Sequence, residues 1–151
     1  MPIEEGMPVM AFEEKGAWVA LIVGVIAYAV YVAVVLGRAA GGELADTPYA
    51  DALLWSIGAA IVAGILVTIV VSILTRRDGL TSDQRDKQIS VRASHSSRAF
   101  LTIGVLGALA LALLEADPFW IANTIYLAFV VSGLVEVGAR IALYRGVMPA
   151  W

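Results

Sequence analysis

Glu136 and Arg140 are charged, stand four apart, and interrupt an otherwise apolar run from Pro118 to about Tyr144. On a helix that spacing puts both on one face, where they can pair. An ionisable residue inside a membrane span costs at least ~2.5–3.5 kcal/mol at the bilayer centre, so it marks a functional candidate by default. Depth sets how far that default carries. Glu136 lies seventeen residues after Phe119, which is about 25 Å along a helix axis at 1.5 Å per residue. That depth is the inner part of a membrane, with Arg140 a turn nearer water, where long side chains can snorkel. The expected role is structural, with Glu136 paired to Arg140, or to Arg92 or Arg98 of the preceding helix. The sharper alternative is a proton- or cation-coupling site on Glu136 in a small oligomeric transporter or channel. The other polar candidates for such a path, Thr68, Ser72, Asn123 and Thr124, do not converge on one level.

His95 is the one histidine of the chain and stands among Ser94, Ser96 and Ser97. A nucleophile and base need to meet in hydrogen-bonding geometry with a third group orienting the base. Consecutive helical residues point in different directions, and no acid stands a turn away from His95. A single histidine and no cysteine leave no histidine-based metal cluster, no thiolate metal site, no disulfide framework and no dithiol relay. No Gly-rich phosphate loop is present. The expectation is a protein without catalytic residues or cofactors. A net charge of -3, with few basic residues and no reading motif, argues against nucleic acid.

The elements that carry these residues follow from composition. Of 151 residues, 60% are hydrophobic and 15% charged, and the mean hydropathy is +0.86. A soluble domain of this size has too little interior for that much apolar surface, and disordered chains are polar and charged. A membrane-spanning helix needs about 20 mostly apolar residues. Four runs meet the requirement, at about 17–37, 52–74, 96–114 and 119–144. Residues 1–16 form an acidic tail, whose four glutamates argue against a signal peptide. The connection 75–98 holds Arg76, Arg77, Arg85, Lys87, Arg92 and Arg98, whereas the two other connections are acidic. Lysine and arginine stay on the cytoplasmic side, so this connection and both termini are expected inside. Aromatics agree, with Tyr49, Trp55, Phe119 and Trp120 at the outer boundary and Trp18, Tyr144 and Trp151 at the inner one.

The central connection has its own pattern. Thr81 and Gln84 read as a helix start with a hydroxyl cap, and no proline or glycine follows until Gly104. One helix is therefore expected to run from Ser82 through the third span, extending into the cytoplasm. Asp83, Arg85, Asp86, Lys87, Arg92, His95 and Arg98 lie along it as a docking surface for a protein partner or anionic lipid headgroups. The bland reading of the same residues is a positive-inside connection with solvated ion pairs, each well under ~1 kcal/mol.

The segment Asp83-Gln84-Arg85-Asp86-Lys87-Gln88-Ile89, followed by Arg92-Ala93 and, at the far end, Tyr144-Arg145-Gly146, resembles an uncharacterised family of small prokaryotic membrane proteins. That family carries an Asp-Glu-Arg-Asp segment leading into a membrane helix pair. The resemblance covers about residues 82–146, departs at Gln84 where the family has Glu, and implies an inner-membrane helical fold without an assigned activity.

Small residues four apart let helices approach closely in lipid. Gly104, Ala108 and Ala112 form such a stripe on the third helix, with Ala29, Ala33 and Gly37 on the first and Ala60 and Gly64 on the second. They are expected to pack the bundle, or alternatively to form a homo-oligomer seam. A faint repeat relates Ala45-Asp46-Thr47-Pro48-Tyr49 to Ala116-Asp117-Pro118-Phe119, as if one hairpin had been duplicated. The tail carries a net -3 and residues 75–98 a net +3, so the tail is expected to fold over the connection. The fold class is all-α, an integral membrane four-helix bundle.

Overall fold

The computed structural model describes residues 12–77 and 84–146. They form four long helices, α1 (Phe12–Ala39), α2 (Ala50–Arg77), α3 (Gln84–Leu113) and α4 (Pro118–Tyr144), with a short 3-10 turn at Leu44–Asp46. Glu14–Ala39, Ala50–Leu74, Ser90–Leu113 and Pro118–Tyr144 are each long and apolar enough to cross a membrane. The chain is a multi-pass membrane protein on that ground. Backbone N–H and C=O groups have no water to bond in hydrocarbon, and unbroken helices satisfy them internally. The third span begins about six residues before the run read from hydropathy. Ser90 to Arg98 lie on the same unbroken helix as the rest of the span.

Local chemistry ends the helices where the turns begin. After α1, Ala40 (φ 46°) and Gly41 (φ 88°) enter the left-handed region, and the Gly42 N–H donates to Ala39 O at 2.7 Å. α3 closes in a Schellman arrangement, with the Ala116 N–H on Leu111 O at 3.0 Å and Glu115 N–H on Ala112 O at 3.1 Å. Glu115 takes the left-handed position (φ 55°) usually given to glycine. Pro118 then opens α4, where its missing N–H costs nothing.

The helices stand in a row, α2–α1–α4–α3. α3 packs along α4, α4 along α1, and α1 along α2; α2 packs its backbone against neither α3 nor α4. The bundle is therefore open, and α2 is an edge helix. α1 has two helix neighbours and α3 has one, so the two hairpins do not occupy equivalent places despite their similar turns. Both turns lie side by side, Tyr49 meeting Phe119 edge-on with ring centroids 5.1 Å apart. At the opposite, terminal end the first turn of α1 meets the end of α4, where Arg145 Nε donates to Glu14 Oε1 at 3.2 Å. The Arg145 guanidinium also lies over the Trp18 ring, 5.6 Å from its centre.

α3 and α4 approach most closely. Ala93, Ser97 and Ala108 of α3 are buried, as are Ala128, Ser132 and Ala139 of α4. A Cβ on Gly104 would overlap the Cβ of Ala128, so this position admits no side chain at the present separation. Gly104 and Ala108 thus lie in the seam. Ala112 is exposed, because steps of four residues rotate about 40° each on a 3.6-residue helix and carry it off the stripe.

Candidate functional site

Glu136 and Arg140 face α3. Arg140 donates to Glu136 Oε1 at 2.8 Å, so of the three cations considered as partners it is Arg140 that pairs. α3 contributes two more groups: Ser94 Oγ donates to Glu136 Oε1 at 3.1 Å, and Ser90 Oγ accepts from Arg140 at 3.1 Å. One turn deeper, Ser132 Oγ donates to the Ser97 carbonyl at 3.0 Å. The Arg140 Nε is buried without a partner among the described residues. The arrangement is a polar ladder between two tightly packed helices. It joins them by hydrogen bonds that hydrocarbon favours, since the alternative is an unsatisfied polar group. The serines carry a readable signal that the reading of His95 as a candidate base passed over. Ser90, Ser94 and Ser97 are spaced by four and three, which is one helix face.

The same packing turns the basic residues outward. Arg92, His95 and Arg98 are exposed, and none makes a side-chain hydrogen bond or ion pair with another described residue. His95 and Ser94 point apart, and Ser97 bonds the Ser94 carbonyl at 3.0 Å. Arg85, Asp86 and Lys87 lie in the first turn of α3. Asp83 and the proposed cap at Thr81 lie outside the described residues, as does most of the tail expected to cover the connection. Within that tail, Glu14 is described, and it pairs with Arg145, just after α4. No group of three or more metal-ligating side chains occurs among the described residues.

A second polar cluster sits near the turn end, between α1, α2 and α4. The Tyr31 hydroxyl donates to Asn123 Oδ1 at 2.7 Å, and Asn123 Nδ2 donates to Phe119 O at 2.8 Å. Ser56 Oγ is 2.5 Å from the Tyr126 hydroxyl and 3.1 Å from Ala27 O. A hydroxyl has one proton to give, so Ser56 donates to the carbonyl and accepts from Tyr126. Tyr126 stacks edge-on against Tyr28 and Tyr31 at 5.5 and 5.1 Å, geometries worth ~0.5–1.5 kcal/mol each. Asn123 therefore serves helix packing. Beyond it, Arg38 ties the α1–α2 turn to α2, donating to both carboxylate oxygens of Asp51 at 2.6 and 2.7 Å and to Pro48 O at 2.9 Å.

With this geometry in view, the chain was compared with known proteins: no protein-family model, curated protein or solved structure matches it.

Proposed function

We propose that this is a non-catalytic accessory or regulatory membrane protein that docks a protein partner on the basic face of α3. In this reading it lies in a prokaryotic inner membrane, with both termini and the 75–98 connection cytoplasmic and the first turns of α3 projecting from the bilayer. One observation carries the proposal. Arg38, Arg140 and Arg145 each hold a carboxylate, whereas Arg92, His95 and Arg98 are exposed and hold none among the described residues. Unpaired charges on a helix face steer and select partners of opposite sign. Glu136 supports the transporter alternative less well. Its carboxylate faces α3, and the apolar cavity beside α4 is bordered by Gly133, Leu134 and Val137, not by Glu136.

The test is purification from the native host in mild detergent, with mass and co-purifying proteins determined together. A stoichiometric partner, lost on Arg92→Ala/Arg98→Ala and kept on Glu136→Gln, is the expected result. A homo-oligomer without partners would overturn the docking reading and return attention to Glu136.

A further inference from the structure

Arg98 is rooted deeper in the bilayer than Arg92 or His95. α3 ends at Leu113, and the acids Glu115 and Asp117 follow at once. Charges are costly in hydrocarbon, so its boundary on the turn side lies at that end of the helix. Counted back from Leu113, Arg98 is fifteen residues away, His95 eighteen and Arg92 twenty-one, or about 22, 27 and 32 Å at 1.5 Å per residue. The hydrocarbon is about 30 Å thick. Arg92 thus reaches the headgroup layer on the terminal side, whereas the Arg98 backbone lies about 8 Å inside the hydrocarbon. Tilting the bundle shortens all of these heights and sinks Arg98 further.

The surroundings of Arg98 supply no counter-charge. Arg140 stands about 33 Å from the start of α4 at Pro118, nearer water than Arg98, yet it holds Glu136 at 2.8 Å and Ser90 at 3.1 Å. Arg98 is exposed, and Thr102 Oγ1 donates to its carbonyl at 2.9 Å, which leaves the guanidinium untouched. Glu136 is committed to Arg140 and Ser94, and the other described acids stand at the ends of the helices. A charge within a span pairs, or faces a wet interior. Arg98 does neither within the described chain, so its counter-charge has to come from outside it.

Geometry selects the source. Helix side chains lean toward the N-terminus of their helix, and α3 begins on the terminal side. Arg98 therefore leans toward the headgroups of that leaflet, with His95 on the same face three residues along. A phosphate drawn to the edge of the hydrocarbon meets both, and an imidazole offers an N–H in either protonation state. No described acid stands beside them to receive an ammonium, so a net negative headgroup fits better than a zwitterionic one. Scarce water strengthens the contact at Arg98, whereas Arg92, in the headgroup layer, is hydrated and screened by salt.

We propose that Arg98 and His95 bind the phosphate of one anionic phospholipid from the leaflet on the terminal side. Arg92 stays open to the protein partner proposed above, and the lipid site stands with or without that partner. The test is native mass spectrometry of the purified full chain titrated with phosphatidylglycerol and with phosphatidylethanolamine. One phosphatidylglycerol per chain should be held about tenfold better than phosphatidylethanolamine, the factor that ~1.4 kcal/mol produces. Arg98→Gln should remove this preference, while Arg92→Gln should weaken it less than about twofold. Equal retention of the two lipids, equal losses in the two variants, or a second protein chain in place of bound lipid would overturn the proposal. Each of these results leaves the co-purification from the native host untouched, so the two readings fail separately. Should Arg98→Gln not fold, solid-state NMR of the wild-type chain decides the matter. Dephasing of the guanidinium nitrogens by lipid phosphorus that is stronger at Arg98 than at Arg140 supports the site, and equal dephasing at the two overturns it.

Discussion

The contact between Gly104 and Ala128 makes an opposed pair of predictions from one substitution. A Cβ at Gly104 overlaps the Ala128 Cβ and lies 3.2 Å from its Cα; a Cβ at Gly107, three residues on, meets only Thr124 Cγ2 at 3.8 Å, an ordinary contact. In Gly104→Ala the obstacle is backbone and a single methyl, so no side chain can rotate away and the helices must part. Forcing an added methyl into a packed seam costs ~1–3 kcal/mol. Parting also stretches the Ser132–Ser97 bond of 3.0 Å and the Ser94–Glu136 bond of 3.1 Å, so a loss of about 2 kcal/mol is expected. Gly107→Ala should be neutral or stabilising by up to ~1 kcal/mol, since alanine limits the backbone more than glycine does. The gain falls at the low end because helices persist in the membrane-unfolded state. Both are read from titration of mixed micelles with dodecyl sulfate, following tertiary structure by tryptophan fluorescence. The exchange Gly104→Ala/Ala128→Gly moves the methyl to the other helix and should recover most of the loss, stopping short because the 3.2 Å contact remains. Equal effects at the two glycines, or no recovery in the exchange, refutes the close-contact reasoning.

The same titration tests the polar groups. A double-mutant cycle on Glu136→Gln and Arg140→Gln should give a coupling of about 1 kcal/mol, inside the ~0.6 average and ~1.7 maximum for hydrogen bonds between membrane helices. The side chains are 30% and 37% exposed, which keeps the value below that of a buried pair, and zero coupling would show the pair to be idle. Tyr126→Phe removes the hydroxyl held by Ser56 and should cost ~1 kcal/mol. Tyr28 makes no hydrogen bond with another described residue, so Tyr28→Phe should cost nothing measurable; equal losses would rule out the hydroxyl as the cause.

What the sequence made legible was local. Span lengths follow from runs of uncharged residues, and the Glu136–Arg140 pair from a spacing of four within one helix. Gly104 and Ala108 were readable as close-approach positions because small residues at that spacing let helices meet in lipid, but whether the partner was a helix of the same chain was not. The row α2–α1–α4–α3 was not readable. Helices apolar on all sides have no face that periodicity can single out, and the residues joining the α1–α2 hairpin to α4 lie far apart in the chain. Tyr31 and Asn123 are separated by 92 positions and Ser56 and Tyr126 by 70, with nothing local to link them. The serines of α3 were the opposite case. Their spacing was visible, but its meaning depended on which helix they faced.

The central position of α4 has a consequence for the order in which the molecule is made. α1 and α2 leave the ribosome first, yet the acceptor for the Tyr31 hydroxyl and the donor to Ser56 both arrive with α4, the last helix of the row to be synthesised. Until then the α1–α2 hairpin sits in the bilayer with the Tyr31 hydroxyl turned toward an absent neighbour, a state that costs free energy for an unmet polar group. Completion of α4 therefore acts as the latch for the whole structure. Chains interrupted before residue 118 carry exposed polar groups within the bilayer, the kind of unfinished surface that invites wrong partners.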